Sequence, residues 1–440
     1  MRIWSLAKEL AEATPAERNR YVDFLRAMSI LAVVVGHWLI ATAWYHDGEF
    51  TTGHLLKDRP ETQWLTWLFQ VMPVFFIVGG YSNAVSLKSA ERKGASYAEW
   101  LIARLTRLAI PVVVLMLVWA GIALVMRLLD VDPAVIQYMS QASLIPTWFL
   151  AIYIMVAILA PLAWRFWQRA GYASFFAFAA MAVATDVLFF AFDLRYLGWS
   201  NYFWVWLAVH QLGFAWRENR LPSAPGLLAI AVAGFALLWL LIFKGPYPLA
   251  MVGSPDEGLS NTLPPKLTLL ALGLLQFGVL MALEAPMRRA LESLRLWTFT
   301  VLINSMIMTI YLWHITVMIV LGGLLYLAGG FGFGLEPGTG GWWLSRPLWI
   351  FILWALLLPL ALVLSPLERR GRPKDAPVPG AVRQIAGAMA VCLGIALLAL
   401  FGFGDEPADW VDVAAFVLAI GGSVIAGLLV LPRRKVPVGN

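Results

Sequence analysis

Apolar runs of about 20 residues, broken by short polar connections, recur along the whole 440-residue chain. Each run is long enough to cross a hydrocarbon core as a helix. They lie near 24–45, 64–87, 108–128, 146–164, 172–191 and 198–215, then near 225–243, 267–284, 308–330, 346–365, 384–403 and 410–431. The pattern predicts an all-α fold, a polytopic membrane helical bundle of about twelve spans. The longest connections, 46–63, 88–107, 244–266, 285–307, 331–345 and 366–383, leave no room for an appended soluble domain. A stretch rich in Pro and Gly, GRPKDAPVPG at 371–380, reads as a linker between ten spans and a final pair. The chain therefore divides into an N-terminal segment (1–23), a working membrane module (24–370), a linker (371–383) and an accessory pair of helices with a basic tail (384–440).

Composition agrees with the pattern: 61% of residues are hydrophobic and 13% charged, and mean hydropathy is +0.76. Ordinary soluble domains are about one quarter charged, so the expected environment is the lipid bilayer. The 22 tryptophans suit interfacial belts. The net charge of +6 could suggest a nucleic-acid partner, but its distribution argues against one. With the N-terminus inside, 24 of the 32 Lys and Arg residues fall on cytoplasmic segments, whereas acidic residues show no such bias. This positive-inside pattern places both termini in the cytoplasm, and the charge is topological. No secretory signal peptide precedes the first run. The single cysteine, Cys392, excludes an internal disulfide and a cysteine-rich metal site, and its apolar surroundings suit a packed thiol. Neither a metal nor a permanently bound cofactor is expected.

Candidate chemistry starts on the first run, VDFLRAMSILAVVVGHWLI, where Arg26 and His37 stand eleven residues apart. At 100° per residue, eleven steps make three turns plus about 20°, so the two share a face and lie ~16 Å apart along the axis. The twelve-span reading puts Arg26 at the cytoplasmic edge and His37 near mid-membrane. Ionisable groups there are costly and mark function by default. Taken singly, Arg26 is as well read as a topology anchor and His37 as a satisfied structural histidine. Together they are the candidate catalytic pair.

Arg104 and Arg107, in WLIARLTRLAIPVV, lie on neighbouring turns at the cytoplasmic start of the third run. Guanidinium pairs grip phosphates, so they suit a phosphorylated cosubstrate, although positive-inside anchoring also explains them. The second run contains MPVFFIVGGYSNA, and its adjacent Gly79 and Gly80 admit either a slender ligand or a neighbouring backbone. Trp148 and Tyr153, in WFLAIY, are candidate substrate contacts or interfacial belt residues. His210 and His314 read as structural on their own, and Asp186 could orient a histidine or bind a sugar hydroxyl. Asp47, Asp58 and Asp186 are the carboxylates that could orient His37.

Taken in order, these pieces resemble the acyltransferase-3 family of bacterial integral membrane acyltransferases. FLRAMSILAVVVGH reproduces that family's arginine, ten residues, then histidine. MPVFFIVGGY is similar to its Phe-Phe followed by Ser-Gly-Phe, with Gly79 and Tyr81 replacing the serine and the phenylalanine. Arg104 and Arg107 match its Arg-x-x-Arg, WFLAIY its Trp-Phe-Leu run ending in tyrosine, and IYLWHITV its late Tyr-Leu-x-His. The resemblance covers about 20–370 and leaves the last two spans outside the usual ten. It implies a catalytic histidine at His37 and arginines engaging coenzyme A, with acetyl-CoA or another acyl-CoA as cosubstrate. It also implies a glycan or glycolipid acceptor and location in the bacterial inner membrane. Gly79 and Gly80 would flank the pantetheine arm, and Trp148, Tyr153, Asp186 and His314 would bind substrate. His37 would act either as general base or as a covalently acylated group. The competing reading is a 12-span secondary transporter of a small molecule, but internal repeats between two halves are not seen. A non-enzymatic membrane partner is the third class.

Overall fold

In the computed structural model, residues 2–46, 49–253, 258–368, 372–373, 375–404 and 410–429 are described. Asp47 and parts of the linker and basic tail lie outside them. In chain order α1 (Arg2–Glu12) precedes α2 (Arg20–Ile40), the strands β1 (Ala41–His46) and β2 (Glu49–His54), and the short α3 (Leu55–Asp58) and α4 (Thr66–Phe69). Then come α5 (Met72–Arg92), α6 (Tyr97–Leu128), α7 (Pro133–Leu144), α8 (Thr147–Ala170), α9 (Tyr172–Ala191), α10 (Asn201–Arg217) and α11 (Ala224–Lys244). The rest comprises α12 (Leu267–Ala282), α13 (Glu284–Ala290), α14 (Leu294–Ser305), α15 (Ile307–Leu327), α16 (Gly340–Glu368), α17 (Ala381–Phe401) and α18 (Val411–Ile425).

The chain is thus a polytopic helical membrane protein. Each of the twelve apolar runs contributes a helix among the described residues. Among the described residues nine helices are long and apolar enough to cross a membrane, or ten when α12 and α13, bent by 54°, count as one. The remaining two runs form α10, of 17 residues, and α18, of 15. The count therefore lies below the expected twelve because these two are short.

One element departs from the expected pattern. The first helix stops at Ile40 instead of continuing to 45, because Ala41–His46 pairs antiparallel with Glu49–His54. Thr42, Trp44, Tyr45, Phe50, Thr51 and Thr52 are β-branched or aromatic and suit a pleated surface. His37 consequently lies in the last turn of α2, not halfway along a span.

By its contacts the chain forms two compact units, one of residues 1–88 and 159–361, the other of 89–158 and 362–440. In the first, Asn19 caps α2 by accepting the Tyr21 N–H at 3.0 Å. The Tyr21 hydroxyl donates to the Leu280 carbonyl at 2.8 Å, and Arg20 donates to that of Leu291 at 2.9 Å. These bonds fix the start of α2 in the bundle. The core of this unit includes Trp38, Phe76, Trp206, Trp297 and Trp342, all fully buried. Helices α5 and α10 cross with backbones in contact: a Cβ on Gly80 would sit 2.2 Å from the His210 carbonyl oxygen, and one on Gly213 2.1 Å from that of Ile77. Glycine is required at both positions.

In the second unit α6 opens with a capping box, Ser96 and Glu99 exchanging bonds with each other's backbone. Helices α17 and α18 approach through small residues, a Cβ on Gly387 meeting the Ala426 nitrogen at 2.4 Å. Arg127 pairs with Asp412 at 3.3 Å, and the Cys392 thiol is buried with Sγ 3.6 Å from the Ala151 carbonyl. The pair expected to be accessory is therefore packed inside a unit that also holds α6 and α7.

Candidate active site

The last turn of α2 meets α15 through two histidines. Nδ1 of His37 lies 2.8 Å from Nε2 of His314, with the rings nearly parallel at 8°. The next residue fixes the same approach: the Trp38 indole N–H donates to the His314 carbonyl at 2.9 Å. His314 is fully buried, and its Nδ1 lies 2.6 Å from the carbonyl oxygen of Tyr311.

These partners assign the protons. A carbonyl only accepts, so Nδ1 of His314 carries the hydrogen and donates it. A neutral His314 then presents a lone pair at Nε2, and His37 must donate from Nδ1. The second nitrogen of His37, Nε2, is left unprotonated and takes no part in this chain of bonds. A carbonyl–imidazole–imidazole chain thus holds one ring in a fixed tautomer with its basic nitrogen at the end of the chain. Such second-layer bonding usually sets ring orientation and basicity in histidine sites. An imidazole so held presents a lone pair that can take a proton from a hydroxyl.

Arg26 stands on the same helix, in contact with Asp23 at 3.2 Å and donating to the Ser82 hydroxyl at 3.0 Å. Asp23 is buried and also receives Arg18 at 2.6 Å, and Asn304 donates to the Asp23 backbone carbonyl at 2.9 Å. Unbroken helix separates Arg26 from His37 by ~16 Å, so the two cannot touch one reacting atom. Arg26 keeps the geometry expected of it on the shared face and ends in a polar knot of its own.

The other site residues fall in several places. Gly79 and Gly80 are buried, and the close approach at Gly80 is taken by the backbone of α10. His210 bonds Asn83 at 3.1 Å in the same crossing. Asp186 is buried with both oxygens occupied: Asn201 donates to one at 2.9 Å, and the Tyr247 hydroxyl and the Leu267 N–H donate to the other at 2.9 and 2.8 Å. None of these partners is His37, and three of the carboxylate's acceptor positions are taken within the protein. Asp58 accepts from Thr42 at 3.1 Å and also lies beside the hairpin. Among the described residues it is His314, and no carboxylate, that bonds His37; Asp47 lies outside them.

In the second unit, Arg104 lies 5.8 Å from the Trp100 ring and is half-buried, and Arg107 is exposed. Trp148, Phe149 and Tyr153 form an aromatic row at the start of α8, with centroids 6.4 and 5.7 Å apart.

Sequence reasoning missed His54. It ends β2 opposite Ala41, and its imidazole lies within electrostatic reach of His37. Its signal was present in the chain: Asp47-Gly48 between alternating residues is a hairpin pattern, and a hairpin there returns His54 to the end of α2.

A family model described as an acyltransferase domain matches residues 19–366, most of the chain. No curated protein and no solved structure matches it.

Proposed function

The chain belongs to the acyltransferase-3 family, and from that premise we propose that it moves an acyl group, most simply acetyl, from acyl-CoA to a hydroxyl of a carbohydrate or lipid-linked glycan. The observation that carries the reading is the His37–His314 contact, which leaves Nε2 of His37 unprotonated. In the reaction, Nε2 takes the proton of the acceptor hydroxyl as its oxygen bonds the thioester carbon. The carbon–sulfur bond then breaks, and the proton passes to the leaving thiolate, giving an ester and free coenzyme A. While His37 is charged, its Nδ1–H remains bonded to His314, whose own N–H rests on the Tyr311 carbonyl, so the ring does not reorient between steps.

Arg104 and Arg107 are proposed to engage the phosphates of coenzyme A, a task suited to guanidinium groups. The half-buried state of Arg104 supports its part. Trp148 and Tyr153 are proposed to contact the acceptor, for which a row of aromatic rings is a suitable surface. The excess of basic residues on alternate connections supports cytoplasmic termini, a cytoplasmic donor and a place in the bacterial inner membrane.

The test compares envelope glycans and glycolipids from a deletion strain with those of its parent, and supplies labelled acetyl-CoA to purified protein. Loss of one acyl group in the strain, together with label entering the glycolipid fraction, is expected. An unchanged envelope with no transfer of label would overturn the proposal, and substrate flux without acyl-CoA would restore the transporter reading.

A further inference from the structure

The hairpin after α2 holds two polar atoms that the fold leaves unsatisfied. Nδ1 of His54 and Nε1–H of Trp44 are buried and have no hydrogen-bond partner among the described residues. Leaving such an atom bare costs about 1–3 kcal/mol, so a ligand or water must complete each one.

The hairpin's placement makes the first of these atoms part of the site. The Ala41 N–H donates to the His37 carbonyl, closing the last turn of α2. Ala41 pairs with His54 in the strand register, so His54 is brought back one helical turn from His37. Thr42 and Asp58 lock this fold-back: their side chains bond at 3.1 Å, and a Cβ on Gly53 would meet the Asp58 carboxylate at 2.7 Å. The outer part of the hairpin is clamped independently. The Tyr45 N–H donates to the Phe333 carbonyl at 2.8 Å, Phe50 stacks among Tyr45, Tyr326 and Phe333, and Arg59 pairs with Glu336 at 2.8 Å. Burial lowers the His54 imidazole from its ordinary range against the opposing pull of Asp58. A neutral ring offers one donor and one acceptor, which is what a sugar hydroxyl can satisfy.

We propose that this hairpin is the acceptor-recognition element of the transferase: Nδ1 of His54 holds a hydroxyl of a polyhydroxylated acceptor beside the one that His37 deprotonates. The inference rests on the acyl-transfer reading and adds to it where the acceptor is bound and which chemistry recognises it. His54 acts on the acceptor and leaves the donor untouched.

The test uses the full chain in lipid vesicles, acetyl-CoA, and a glycolipid extract of the source cells' envelope as the varied acceptor. His54→Phe keeps a ring and removes both nitrogens. It should raise the amount of extract needed for half-maximal transfer about ten-fold, with the KM for acetyl-CoA within about two-fold of wild type. His54→Asn places an amide near the position of Nδ1 and should recover most of the loss. Wild-type half-saturation in His54→Phe, or a His54→Asn variant as impaired as His54→Phe, would overturn the inference and leave the base assignment standing. A His37→Ala variant that transfers normally would overturn the base assignment instead.

Discussion

Two buried polar clusters of the same unit invite comparison: the histidine pair at the end of α2 and the carboxylate cluster around Asp186. At Asp186 both oxygens are taken, by Asn201, by Tyr247 and by the Leu267 backbone, and the neighbouring Lys266 ammonium lies 3.4 Å from the Phe189 ring centre. Its bonds tie α9, α10, the connection before α12 and the start of α12 into one block. At His37 the chain of bonds ends with a nitrogen to spare. Both clusters join elements distant in sequence, and both keep costly groups out of water. A carboxylate bonded at both oxygens from three elements is a staple, whereas an imidazole bonded through one nitrogen and basic at the other is equipped for proton transfer. Beside Asp186 the Lys266 Nζ and the Asn201 Oδ1 have no hydrogen-bond partner among the described residues, so the clusters differ in the group that carries the bonds, a carboxylate or an imidazole, and not in how completely the bonds are made.

The comparison can be broken at several points. The largest effect is expected at His37. Replacing it with alanine should lower transfer about 1,000-fold, the scale of a lost general base, while the protein remains folded and binds acetyl-CoA. Retained transfer would remove the distinction between the clusters. His314→Ala should cost about 10- to 100-fold, as expected of a residue that only orients another. His314→Gln, whose side-chain oxygen can accept from His37, should lose less. Equal losses in the two variants would mean that the acceptor role of His314 is not what matters. In the second unit, Arg104→Ala and Arg107→Ala should each raise the KM for acetyl-CoA by about ten-fold with little change in kcat, read from initial rates. An unchanged KM would leave both residues as topology anchors.

At the staple the readout should move from rate to stability. Asp186→Asn replaces an accepting oxygen with a donor and should destabilise the protein by about 1–3 kcal/mol, seen as a lower melting temperature, with the rate per folded molecule unchanged. Lys266 adds a pH signature. Burial holds its ammonium down to about 8, against an ordinary value of 10.5. Between those values the unfolded chain binds a proton that the native chain does not, so stability should rise with pH across that window. Lys266→Met should flatten this rise in thermal unfolding followed at several pH values.

Much of this arrangement is legible in the sequence, with clear limits. The twelve apolar runs name all the long helices, because twenty residues without a charge have few other destinations in a membrane protein. The spacing of Arg26 and His37 gives their shared face, and Tyr-Leu-Trp-His marks His314. That His314 should orient His37 is not legible, since 277 positions separate them and only the packing of α2 on α15 brings them together. Carboxylates are the commoner orienters of histidine, whereas here an imidazole resting on a backbone carbonyl takes that place. The hairpin was hidden differently. Its residues 41–46 continue an apolar run and read as one more turn of helix, while the Asp-Gly pair behind them reads equally well as part of a long connection. Gly80 shows the reverse: two glycines in a span suit a ligand and a helix crossing equally, and only the position of α10 decides.

The proton positions on His37 are the most direct test. The full chain, labelled with nitrogen-15 histidine and placed in lipid bilayers, can be examined by NMR near neutral pH, with a His37→Ala sample to identify the signals. We expect Nδ1 of His37 to be protonated and bonded to an unprotonated Nε2 of His314, and Nε2 of His37 to carry a lone pair. A protonated Nε2 on His37, or no bond between the two rings, would contradict the assignment of His37 as the base.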